Sequence, residues 1–146
     1  MFLSSKILIH IYAILVMALL ISACKERSEI MSSYVATPDH PATAPSGRCV
    51  LEVIRIDSNR PNLLTFQILN QNKKVIYRAP ERFDERHTTF FLWDNDDRVW
   101  VYSGDIGTFF WEQDVATGEW KKYVYSQSNV EAPPFLKEIR PRWHKQ

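Results

Sequence analysis

Few side chains in this chain are both chemically capable and suggestively spaced. Cys24 and Cys49 form no Cys-x-x-Cys pair, and no His-x-x-x-His or Cys–His spacing for zinc occurs. Of the 4 histidines, His10 lies in an apolar leader, His40 in a proline-rich stretch and His144 at the end. His87 alone sits among structure-forming segments, beside Asp84, Glu85 and Arg86. Ser103 belongs to no Gly-x-Ser-x-Gly elbow, which leaves nucleophilic catalysis without a recognisable frame. Asp94-Asn95-Asp96-Asp97 offers clustered oxygens of the kind calcium takes, but an EF-hand loop counted from Asp94 needs Gly and Glu where Val99 and Asp105 stand. These residues are expected to form a solvated turn. Asp84, Glu85 and Glu112 are the carboxylates that a glycan-cleaving groove would draw on. No catalytic residue, metal site or cofactor is expected, and the domain reads as non-enzymatic.

The most informative chemistry is at the other cysteine. Lys6 is the one charge before the apolar run Ile7–Ile21, which ends at Ile21-Ser22-Ala23-Cys24 and meets Lys25, Glu26 and Arg27 at once. A run of about 15 residues is short for a membrane span, which needs roughly 20. An ordinary secretory signal fits the length but leaves Cys24 without a role. The four residues resemble the lipobox of bacterial lipoproteins: aliphatic, small or hydroxylated, small, then cysteine. That resemblance implies a diacylglyceryl group on the Cys24 thiol, cleavage before it and acylation of the new amino group. Two or more acyl chains anchor stably where one does not. Lys25 stands where Asp would signal retention at the inner membrane, so the resemblance points to the outer membrane, facing the periplasm.

With residues 1–23 removed, Lys6 is lost from the 18 Lys and Arg, which leaves them equal in number to the 17 Asp and Glu. A nucleic-acid binder would carry a basic excess, and none is expected as a partner. Cys49 is then the remaining thiol, so a disulfide framework is excluded. It reads as a small apolar residue at a strand start.

One internal motif stands out, Ser103-Gly104-Asp105-Ile106-Gly107-Thr108-Phe109-Phe110. It resembles the Asp box of β-propellers such as sialidases, Ser-x-Asp-x-Gly-x-Thr-Trp. Ser103, Asp105 and Gly107 match, Phe110 replaces the Trp and Phe109 the Thr. In those families the box lies away from the catalytic centre, so the resemblance implies a hairpin device. The carboxylate accepts backbone N–H bonds across the turn, the glycine supplies an unusual φ and the aromatic packs beneath.

The elements that must position these residues follow from patterning. Residues 24–47 begin at the lipidated cysteine and run through Ser, Thr, Ala and Pro, which reads as a flexible tether. Such a tether reaches roughly 25–30 Å root-mean-square. From Arg48, β-branched and aromatic runs alternate with turn chemistry. Cys49–Ile56, Leu63–Leu69, Lys74–Arg78, Thr88–Trp93, Arg98–Ser103, Thr108–Gln113 and Glu119–Tyr125 are the expected strands. Ala79–His87 is a charged excursion, a loop or one helical turn. Short links dictate an antiparallel meander. The expected fold is all-β, a small sandwich or barrel over residues 48–146, with a cleaved signal helix before it. After Ala132-Pro133-Pro134, a helical turn is expected to dock through Phe135 and Ile139.

Trp93, Trp100, Phe109, Phe110, Trp111, Trp120, Tyr123 and Tyr125 crowd one stretch. Alternation sets Trp100 and Tyr102 on one face and Val99 and Val101 on the other, so both faces carry apolar bulk. Surplus aromatic area, Trp111 and Trp120 above all, is a candidate interaction surface. The expected partners are the membrane, through the lipid on Cys24, and an envelope protein or periplasmic toxin, which would make this an immunity-type protein. The competing expectation is an enzyme or binder acting on peptidoglycan glycan.

Overall fold

The computed structural model describes residues 14–18, 21–22 and 33–139. Residues 14–18 and 21–22 are helical, and no described helix is long and apolar enough to cross a membrane. Ala23, Cys24 and the first part of the expected tether lie outside the described residues, as does the chain end from residue 140. The chain divides into two compact units, Met1–Ser32 and Ser33–Gln146.

The second unit is a β-sandwich. Its first sheet has the order β1 (Val35–Ala36), β7 (Thr89–Trp93), β8 (Val99–Ser103), β9 (Gly107–Gln113), β10 (Trp120–Val124). The second runs β2 (Ala42–Thr43), β3 (Cys49–Asp57), β4 (Arg60–Asn70), β5 (Val75–Arg78), with β6 (Phe83–Asp84) also paired to β4. All pairings are antiparallel, as short connections require. The turns are made by the residues that suit them. Asn70 Oδ1 accepts from the backbone N–H groups of Asn72 at 3.0 Å and Lys74 at 3.1 Å. Asp114 Oδ1 does the same for Ala116 and Thr117, and Gly118 takes φ +74° to close that hairpin.

The seven expected strands correspond to β3, β4, β5 and β7 to β10. The charged excursion resolves into β6 and a 3-10 turn, Glu85–His87, capped by the Asp84 carboxylate. The expected boundary at Arg48 is corrected. The folded unit starts at Ser33, because Ala36, Ala42 and Ala44 are buried and β1 and β2 complete the two sheets. Trp93 Nε1 donates to the Ala42 carbonyl at 2.9 Å, fastening that segment to the first sheet. Alanines have small side chains and low strand propensity, so they gave no strand signal.

Alternation fills two cores. Leu51, Val53, Phe66, Ile68 and Phe83 of the second sheet meet Phe91, Trp93, Val99, Val101 and Trp111 of the first. Phe66 and Trp111 pack edge to face with centroids 4.8 Å apart. The opposite face of the first sheet carries Leu92, Trp100 and Phe110, covered by Ala132 and by Leu136 of the C-terminal helix α1 (Pro134–Ile139). Docking of α1 therefore turns on Leu136, which is fully buried. Phe135 is half-buried against Phe90, and the side chain of Ile139 lies outside the described residues.

Candidate binding site

The β8–β9 hairpin is held in shape from two directions. Ser103 pairs with Gly107 at its base. Gly104 N–H donates to the His87 carbonyl at 2.9 Å, and a Cβ at Gly104 would stand 2.3 Å from that oxygen, so only glycine fits. Gly107 has φ +101°, a region that L side chains rarely enter. The buried Ser103 hydroxyl donates to the Asp105 carboxylate. That bond, helped by backbone N–H groups of the turn and the charge of His87, holds Asp105 below the usual carboxylate range. Phe110 lies in the outer core, stacked between Trp100 at 4.9 Å and Tyr123 at 5.0 Å.

A recess of about 360 Å³ opens beside this hairpin. It is lined by Tyr102, by the turn from Ser103 to Gly107, by Thr108 and Phe109 after it, and by Val124, Tyr125 and Ser126 where β10 ends. Tyr102 and Thr108 are cross-strand partners, so strand register brings them together. Thr108 is 7% exposed, and its Oγ1 is buried with no hydrogen-bond partner.

The other expected site residues fall elsewhere. Trp111 is corrected: it is fully buried, and its Nε1 donates to Tyr77 Oη at 2.9 Å inside the sandwich, so it is no surface residue. Trp120 is half-buried at the edge of the same core, against Trp93 and Tyr77. Both side chains point inward because β9 and β10 turn these positions toward the second sheet. Cys49 is half-buried against that core, and burial pushes its thiol pKa up.

The carboxylates are not gathered in a groove. Asp84 is gripped by Arg86, whose guanidinium holds it down at about 2. Glu85 pairs with Arg55 at 3.0 Å, and Glu112 sits on β9 in the other sheet. Among the described residues no group of His, Cys, Asp and Glu could hold a metal ion. The Asp94–Asp97 turn is only in part the solvated loop expected from sequence. Asp94 is 7% exposed and accepts four bonds: from Asp96 N and Arg98 N, both at 2.9 Å, Arg98 Nε at 2.6 Å and Trp100 Nε1 at 2.7 Å. Asp97, at φ +60°, accepts from Ser46 N and Arg48, both at 3.1 Å, and so ties the N-terminal segment down.

The motif made the hairpin visible in the sequence. Thr108, Tyr102, Tyr125 and Ser126 were missed as a group, because their proximity depends on β10 returning beside β9. No family model matches the chain, and neither a curated protein nor a solved structure matches it.

Proposed function

We propose that the chain is a bacterial envelope lipoprotein, anchored through lipid on Cys24, whose sandwich is a non-enzymatic binding module. The anchor rests on the lipobox resemblance of Ile21-Ser22-Ala23-Cys24, and Lys25 in place of Asp after it favours the outer membrane facing the periplasm. The binding reading is carried by the use the domain makes of its carboxylates. Asp84, Glu85 and Asp94 each hold an arginine, and Asp105 is held by a serine rather than paired with a second carboxylate. Glycoside hydrolysis needs two carboxyl groups with divided acid and base roles across one bond.

A protein partner, of which a toxin neutralised by an immunity-type protein is the specific form, is favoured by the edges of the two sheets. Lysines on an edge strand ordinarily repel added strands. On β10 both are engaged within the domain: Lys121 Nζ lies 2.7 Å from Asp114, and Lys122 Nζ lies 2.9 Å from Glu81 and 4.2 Å above the Phe109 ring. Tyr123 and Val124 of β10, and Val75 and Ile76 of β5, are left exposed. An extended segment of a partner adds to such an edge through main-chain bonds. The cell-wall glycan reading is favoured by a different observation, the recess beside the β8–β9 hairpin.

The test is retention on the immobilised full chain in detergent, offered solubilised envelope proteins and, separately, peptidoglycan. One protein recovered near stoichiometrically, and lost with Tyr123→Asp, supports the protein reading. Retention on peptidoglycan alone selects the glycan reading. Retention of neither overturns the binding module.

A further inference from the structure

We propose that the recess beside the β8–β9 hairpin is a binding site for an uncharged, hydroxyl-bearing ring, a saccharide unit of a cell-wall glycan. The choice of a cell-wall sugar rests on the envelope location proposed above; the recess stands on geometry alone.

Its size falls within the range of small-molecule sites, which run from about 300 to 1,000 Å³. Its chemistry selects the ligand. Asp105 is an ionised acceptor whose orientation is fixed by Ser103, so the ligand must present a donor and cannot be an anion. Tyr102 and Tyr125 supply aromatic surface for an apolar ring face, and Ser126 adds a hydroxyl. A sugar ring has both an apolar face and donors around its rim. The hairpin that carries Asp105 is rigid, pinned at Gly104 to His87 and turned at Gly107 through a glycine-only conformation, so little ordering is needed on binding.

Thr108 is the second, independent sign. A buried hydroxyl without a partner destabilises a fold, because its lost bonds to water are not replaced. Valine has nearly the same shape and would remove that penalty, yet a threonine stands there. A ligand gives the hydroxyl a use. Thr108 itself lines the recess.

The experiment is calorimetric titration of the full chain in detergent micelles with the trisaccharide of N-acetylglucosamine, with n-butylamine and inorganic phosphate as charged controls. Saturable binding of the sugar alone is expected. Thr108→Val should weaken it about tenfold while raising the melting temperature, and Thr108→Ser should restore it. A merely structural threonine gives the rise in melting temperature with binding unchanged, which overturns the proposal. So does an absence of saturable sugar binding, or butylamine binding as well as the sugar. The measurement is indifferent to lipidation, so its failure leaves the anchor standing, and an unlipidated chain that still binds sugar leaves the recess standing.

Discussion

The two faces of the first sheet are both aromatic, but they are covered by different kinds of partner. The inner face, with Phe91, Trp93 and Trp111, meets a whole second sheet and is sealed at one side by Ala42 and Ala44 from the N-terminal segment. The outer face, with Leu92, Trp100 and Phe110, meets a tail that buries Ala132, Pro133 and Leu136. Ser128 donates to the Tyr125 carbonyl, and Lys137 donates to the Pro133 carbonyl and to Glu131. The inner core is built between two sheets, and the outer one between a sheet and a short tail, with a polar anchor where Trp100 donates to Asp94. Aromatic density alone does not mark a binding surface: the rings are divided between two cores, one on each face of the sheet.

Substitutions can break this contrast. Trp111→Ala should have the largest effect, a loss of about 3–5 kcal/mol. It empties the centre of the inner core and orphans the Tyr77 hydroxyl, and denaturant titration should show the whole domain shifting in one transition. Asp94→Ala should follow at about 3 kcal/mol, since it leaves the buried Trp100 N–H without its acceptor and the half-buried Arg98 guanidinium with Asp96 as its remaining carboxylate. Leu136→Ala should remove about 2 kcal/mol, near the low end for a buried leucine because the tail can settle into the space. Hydrogen exchange should then quicken in residues 128–139 and along β9 while β3 and β4 stay protected. Uniform quickening would show that the two cores are one cooperative unit.

The contrast also explains what the sequence revealed. The strands from Cys49 onward announce themselves by alternation and by turns such as Asn70-Gln71-Asn72. The segment 33–47 does not, since Ala36, Ala42 and Ala44 stabilise by fitting closely rather than by pattern. Trp111 was misread because a sheet apolar on both faces gives no inside and outside to the eye. Asp94 looked like a surface acid in a run of acids, and its burial follows from Arg98 and Trp100 folding back over it. The hairpin of the candidate site was legible from Ser103, Asp105 and Gly107. The recess was not, because part of its lining comes from Tyr125 and Ser126, at the other end of the meander.

The smallest expected effect belongs to neither core. Asp114 is held at about 2, first by its bond from Lys121, against an ordinary value of 3.8. A carboxylate with its folded pKa lowered contributes stability above its ordinary pKa, and that contribution is lost as pH falls toward the folded value. Asp114→Asn should therefore flatten the decline of melting temperature between about pH 4 and 2, and added salt should narrow the difference because the pair is exposed.

Lipid on Cys24 is proposed to hold this sandwich at a membrane. Intact and peptide mass spectrometry of the chain recovered from a bacterial membrane fraction tests it most directly. A mature N-terminus at Cys24 carrying a diacylglyceryl group and an amide-linked acyl chain is expected, with release of the protein from the membrane fraction in Cys24→Ser. A chain that keeps residues 1–23, or begins at Cys24 or elsewhere without lipid, would contradict it.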